Sequence, residues 1–349
     1  RVTLRVSLGA TTDADLVLEV QDGAGKRLLT VDSGPAGTVE TVPNLGVEPG
    51  LVRLVVREFV KKAKGTAAPR PTPSSPYVLV VSAAPPAAPG EEREPNGEAA
   101  FASGVPLGGA GLGYLGWRND RDFWKVSFLG TSDDEALAVD VDAVPGVALR
   151  VAILDGTEGP LLERQGKPGE SVALRNVAVR PGEPYYFVVV SGSRSNPQER
   201  YSLRTSSARF QLDEEAEPND TPATAGALSD VPDADGGTRV GFLVGEDVDL
   251  YRLGSAPGAR SLSATIEPPA TVDASLAVTS EDGTPLVPVV DGGRKGAVER
   301  LVGLVVPAGQ AVMIRVAAVA GASDSQRYRL RWSAPPVAEP VPAPGIDDE

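Results

Sequence analysis

Two short acidic runs carry the residues most able to do chemistry. In Glu215-Ala-Glu-Pro-Asn-Asp220, an extended chain points Glu215, Glu217 and Asn219 the same way, and Asp220 adjoins them. Three or more side-chain oxygens can then converge on one cation. About thirty residues later, Asp247 and Asp249 offer two further carboxylates by the same alternation. Glu92, Glu94 and Asn96, followed by Asp120 and Asp122, form an earlier version of this set. What such groups can do is narrowed by what the chain lacks. Its 349 residues include no His and no Cys. That excludes disulfides, thiolate nucleophiles, Cys/His zinc sites, Ser-His-Asp triads and imidazole bases. Oxygen ligation of calcium survives, because it needs only carboxylates and carbonyls. Acidic loops are common on a chain of net charge -14, and repetition sets these two apart. The same charge argues against nucleic acid as a partner.

The elements that must position these residues repeat with them. After each acidic pair comes an alternating strand, at Ala136 and at Ser261. An Asp-Gly turn follows at Asp155-Gly156 and Asp282-Gly283, then a Pro/Gly turn at Pro181-Gly182 and Pro307-Ala-Gly309. Each repeat closes on Tyr-x-Leu, at Tyr201 and Tyr328. Residues 1–85 hold only the later half of the pattern, from the Arg1 strand through Asp22-Gly23 and Pro49-Gly50 to Tyr77-Val-Leu79. Period-2 alternation rich in Val, Leu, Ile and Thr, broken by turns every ~8–12 residues, predicts an all-β chain of sandwiches. The expected division is a partial sandwich at 1–85, sandwich repeats at 86–210 and 211–334, and a Pro-rich acidic tail at 335–349. Half a sandwich leaves strand edges open, so the missing first half is expected from upstream or from another chain. Val302 to Ala322 is apolar, but Pro307, Gln310 and Arg315 make it two short strands rather than a membrane span.

With their order and spacing in view, the repeats resemble the bacterial pre-peptidase C-terminal domain and the related collagen-binding domains of bacterial collagenases. The resemblance rests on 215–220, Gly245-Glu-Asp-Val-Asp-Leu-Tyr251, Asp282-Gly283, Pro307-Ala-Gly309 and Tyr328-Arg-Leu330. It covers both complete repeats and part of residues 1–85. It implies jelly-roll-like sandwiches in tandem, export to the periplasm, outer surface or medium, and a non-catalytic binding or spacing role. The alternative it implies is the accessory C-terminal region of a secreted peptidase or other hydrolase. The expected partner is a protein or cell-envelope component. The pattern departs at Gly97, where the family has Asp, and at Asn119, where it has Gly. Calcium is therefore expected at Glu215, Glu217, Asn219, Asp220, Asp247 and Asp249, and more weakly at Glu92, Glu94, Asn96, Asp120 and Asp122.

Other candidates carry less. No Gly-x-Ser-x-Gly or phosphate-binding glycine loop opens a helix, so no hydrolytic activity is expected. Arg57, Lys61, Lys62, Lys64 and Arg70 cluster before Tyr77 and could meet an anionic partner, but four prolines nearby favour a solvated hairpin loop. Trp124 and Tyr251 share a repeat position and are expected in the cores. Tyr185-Tyr186 straddles a strand, so one of the two could be exposed.

Overall fold

A computed structural model describes residues 2–59, 76–127, 135–179, 185–228, 235–245 and 247–337. The Pro181-Gly182 turn, Lys61, Lys62, Lys64, Arg70 and most of the expected tail lie outside these residues. The described chain is all-β, with 23 strands, one 3-10 turn at Ala99–Phe101 and no α-helix. It forms two compact units, Arg1–Arg209 and Phe210–Glu349.

The first unit begins with β1 (Val2–Leu8), β2 (Leu16–Gln21), β3 (Arg27–Val31), β4 (Glu40–Val47), β5 (Arg53–Glu58) and β6 (Leu79–Ala84). These make two three-stranded sheets, ordered β4-β1-β6 and β3-β2-β5. Nine strands follow: β7 (Ser103–Pro106), β8 (Ala110–Leu115), β9 (Arg121–Ser127), β10 (Glu135–Val141), β11 (Ala148–Leu154), β12 (Pro160–Pro168), β13 (Val172–Ala178), β14 (Tyr185–Gly192) and β15 (Asn196–Arg209). They are ordered β13-β10-β15-β8 and β12-β11-β14-β9-β7. Among the described residues no strand ladder spans residue 85, but β4 makes a single parallel bridge from Leu45 to Glu94, and one large side chain enters the other core. Trp117, in the turn between β8 and β9, packs into the apolar cluster of Val6, Leu18 and Leu45.

The second unit contains β16 (Gly226–Ala227), β17 (Gly236–Leu243), β18 (Val248–Leu253), β19 (Arg260–Glu267), β20 (Asp273–Ser280), β21 (Glu299–Val306), β22 (Val312–Ala320) and β23 (Ser323–Ser333). Its sheets are β16-β18-β22-β20 and β17-β23-β19-β21. The Val302 to Ala322 stretch is thus β21, a turn and β22, and no described helix is long and apolar enough to span a membrane.

Local chemistry explains why the three stretches fold alike. Period-2 alternation sends Leu137, Val139 and Val141 of β10 inward to meet Val151 and Ile153 of β11 from the facing sheet. In the second unit Leu262 and Ile266 of β19 meet Leu276 and Val278 of β20. The Asp of each Asp-Gly turn caps its own hairpin. Asp22 Oδ1 accepts the Ala24 and Lys26 amides, Asp155 Oδ1 those of Thr157 and Gly159, and Asp282 Oδ1 that of Thr284. A bulge recurs at one place, opposite Leu4/Val6, Leu137/Val139 and Leu262/Ala264. Its extra residue is left-handed at Asn176 and Gly303. Leu276, fully buried against β22, gives a direct test. Leu276→Ala should cost about 2–5 kcal/mol in urea unfolding followed by fluorescence, whereas Val302→Ala, 80% exposed, should cost under about 0.5 kcal/mol.

Candidate metal centre

Each acidic run lies where the two sheets of its sandwich meet at an edge. Glu92 donates its amide to Leu112 O at 3.0 Å, beside β8. Four residues later, Asn96 O accepts the Phe123 amide at 3.0 Å, beside β9 in the other sheet. The chain therefore crosses from one sheet edge to the other, and its alternation aims Glu92, Glu94 and Asn96 into the gap, all three buried. The second unit does the same, with the Glu215 amide on Val240 O and the Leu250 amide on Asn219 O. Glu215, Glu217 and Asn219 are buried there. Both crossings contain a cis Glu-Pro bond, at Glu94-Pro95 and Glu217-Pro218.

The second half of each set comes from β9 and β18. Asp122 sits two residues before Trp124, and Asp249 two before Tyr251, so carboxylate and aromatic share the inward face. Carboxylate oxygens of Glu92, Glu94 and Asp122 lie within 4.8 Å of one another, as do those of Glu217, Asp247 and Asp249. Oxygens bound to one calcium at ~2.4 Å are separated by at most about 4.8 Å.

Some of these oxygens are held by the protein. Glu92 Oε1 accepts the Tyr114 amide at 2.5 Å and the Asn44 side-chain amide at 3.0 Å. Glu215 Oε1 accepts the Phe242 amide at 2.6 Å. Asp120 is tied down by the Gly116 amide at 2.6 Å and the Arg121 amide at 3.0 Å. Other oxygens are not held. Glu94 Oε1, Asn96 Oδ1 and Asp122 Oδ1 are buried and have no hydrogen-bond partner. In the second unit Tyr328, Asn219 and Glu215 face Asp249, yet neither Asp249 oxygen nor the Asn219 amide group has a hydrogen bond of ordinary geometry. A buried, partnerless carboxylate oxygen is costly, and a cation would satisfy it.

Electrostatics gives the same picture. Burial pushes Glu92 up to about 7, against hydrogen bonds from Tyr114, Asn44 and Asn96 that oppose the rise. Burial also raises Glu94, helped by the nearby Asp120 and Glu92 charges, and raises Asp122 in the field of Glu92, Asp120 and Glu94. Burial and Asp247 push Asp249 up to about 8, and Glu215 is raised by burial with Asp249 and Glu217 beside it.

Of the residues expected as ligands, the structure gathers all but one. Asp220 is exposed, because it directly follows Asn219 and neighbours on an extended chain face opposite ways. Gly97, at the same position in the earlier repeat, is exposed too. The Gly-for-Asp difference therefore does not touch the cluster, and the expected weakness of the Glu92 set loses its basis. Trp117, Phe123, Trp124, Tyr186 and Phe187 are all buried and Tyr185 is half-buried, so these six offer little surface.

Three kinds of residue escape the sequence reading. Tyr201 donates to Asp122 Oδ2 at 2.6 Å, with Glu92 Oε2 3.3 Å away, and itself accepts from Trp124 Nε1 at 2.8 Å. Tyr328 donates to Glu215 Oε2 at 3.1 Å and is hydrogen-bonded to Tyr251. The repeated Tyr-x-Leu was the available signal. Opposite these tyrosines stand Gly113 and Gly241. A Cβ on Gly113 would meet Tyr201 Oη at 2.4 Å and Glu92 Oε2 at 2.5 Å, and one on Gly241 would meet Glu215 Oε2 at 1.7 Å. Asn44, on β4, had no signal at all.

No family model and no curated protein matches the chain. Among solved structures, the periplasmic g-type lysozyme inhibitor PliG of Aeromonas hydrophila is 18% identical, with a TM-score of 0.23 over 32% of this chain and 95% of its own. A putative secreted protein from Eubacterium rectale is 7% identical, with a TM-score of 0.22 over 69% and 81%. The PBSX exported protein XepA is 11% identical, with a TM-score of 0.22 over 62% and 82%.

Two outcomes follow from this geometry. Gly113→Ala and Gly241→Ala should each destabilise their unit by about 1–3 kcal/mol, because the new methyl group meets buried polar atoms that cannot retreat; melting temperatures check this. In metal-free protein the folded state holds carboxyl protons that the unfolded chain releases near pH 4. Stability is then full below about pH 4 and falls as pH rises through about 7–8. Chelator-treated protein should melt higher at pH 5 than at pH 8, which calorimetry across that range reads directly.

Proposed function

We propose that this chain belongs to an exported bacterial protein without enzymatic activity, an array of calcium-stabilised β-sandwiches that binds or spaces a partner at the cell surface. One observation carries the reading. The same buried cluster of carboxylate and amide oxygens is built twice, and both copies leave oxygens without hydrogen-bond donors. In the Phe210–Glu349 unit Glu217, Asn219, Asp247 and Asp249 would hold the ion. In the Arg1–Arg209 unit Glu94, Asn96 and Asp122 would hold it, with Glu92 accepting from main chain and amide beside them. The donor set is all oxygen and strongly anionic, which suits calcium better than softer metals. Bound calcium would offset the carboxylate repulsion and clamp the crossing strand across the open end of the sandwich.

Export rests on the resemblance of the repeats and on this chemistry. Extracellular calcium modules work at ~0.1–1 mM affinities that would leave them empty in a resting cytosol. The non-catalytic reading rests on the same groups, since the clustered carboxylates are committed to each other and to tyrosine hydroxyls rather than to an open cleft. Calorimetry of the full chain tests the proposal. Calcium at a hundredfold excess over its dissociation constant should add about 2.7 kcal/mol to each unit that binds it. Asp249→Asn should abolish the gain in the second unit and Asp122→Asn in the first. Equal melting temperatures in calcium and in chelator would rule the reading out.

A further inference from the structure

The three stretches of the chain are built on one plan, so each serves as a control for the others. In the two complete repeats, the strand that ends in the Tyr-x-Leu half of the sheet has a neighbour on both sides. β15 lies between β10 and β8, and β23 between β19 and β17. In the facing sheets, β14 lies between β11 and β9, and β22 between β20 and β18. The corresponding strands of residues 1–85 are β6 and β5. Among the described residues each has one neighbour, β1 and β2 respectively, and each ends its sheet.

Burial records the consequence position by position. Register places Tyr77, Leu79 and Val81 where Tyr201, Leu203 and Thr205 stand, and where Tyr328, Leu330 and Trp332 stand. Tyr201 and Tyr328 are fully buried with their hydroxyls on carboxylates, but Tyr77 is 52% exposed. Val81 is 47% exposed, whereas Thr205 and Trp332 are each 4% exposed. On the facing sheet, Val188 and Val190 of β14 are fully buried, while Leu54 and Val56 of β5 are only half-buried. The inward pattern is present on β5 and β6, but among the described residues nothing covers it as β8, β9, β17 and β18 cover theirs.

We infer that β5 and β6 are receptor edges for one strand–turn–strand arch of polypeptide lying outside residues 1–349. The complete repeats show its form. β8 and β9 span 18 residues from Ala110 to Ser127, and β17 and β18 span 18 from Gly236 to Leu253. Both arches pair antiparallel with their receptor strands, one strand to each sheet. Each sets a glycine opposite the tyrosine and an Asp-x-Asp run ahead of an inward aromatic residue. The occupant therefore carries a glycine to seat against Tyr77 and a carboxylate to accept its hydroxyl. A second copy of this chain fits less well. Its own arches are already paired, and edge-to-edge pairing extends one sheet at a time without closing the gap between them.

Hydrogen exchange on the full chain, read by mass spectrometry, tests this alongside an N-terminal extension of the full chain by a second copy of residues 91–133. The unextended chain should sediment as a monomer, with β5 and β6 amides exchanging at least about 100-fold faster than those of β14 and β15. The extension should slow β5 and β6 by about 100-fold, and Gly113→Val in the added copy should remove that protection. Three results would overturn the inference: β5 and β6 as protected as β14 and β15 in the unextended monomer, a dimer whose dissociation exposes them, or no slowing on extension. Equal protection by the Gly113→Val copy would overturn the seating against Tyr77.

Discussion

The constraint on which the rest of this molecule depends is a set of clustered carboxyl groups held out of water. Each complete repeat gathers four carboxylates and an asparagine at the mouth of its sandwich, all of them more than nine-tenths buried. Ionised carboxylates at that depth repel one another and lose their hydration. The protein answers part of this with neutral donors. Main-chain amides of Tyr114, Gly116 and Phe242 reach Glu92, Asp120 and Glu215, and two tyrosine hydroxyls reach into the clusters. The oxygens left over define the site as much as those satisfied.

The geometry of the sandwich follows from serving that mouth. A strand must cross between the sheets so that alternate side chains enter the gap, and a glycine must face the tyrosine so that hydroxyl and carboxylate fit in one layer. The aromatic residue beside the cluster is Trp124 in one repeat and Tyr251 in the other, and each hydrogen-bonds the closing tyrosine. Indole and phenol thus do the same task, a substitution open only where a single N–H or O–H donor is needed.

Much of this was legible in the sequence, for physical reasons that can be named. Alternation at 92, 94, 96 and at 215, 217, 219 fixes which side chains share a face, because strand geometry has period two. The same rule, applied one residue further, excludes Asp220; contiguity in sequence had suggested the opposite. Tyr201 and Tyr328 were visible as a motif but not as partners of the acids, since they sit about 80 residues from Asp122 and Asp249 and meet them only through sheet pairing. Asn44 was invisible. It belongs to the stretch without acidic runs, and its contact with Glu92 exists only because that stretch packs beside the next repeat. Spacing within a strand is readable from sequence, whereas cross-sheet register is settled by the packed core.

Trp117 has a consequence for the order of events during synthesis. It leaves the ribosome long after β1 to β6, yet it fills the core those strands form. A chain growing at about 5–20 residues per second therefore waits seconds between completing β6 and acquiring that side chain. Over that interval the apolar cluster of the first strands lacks one of its buried members. Trp117 joins that cluster only once the next repeat has begun to be made.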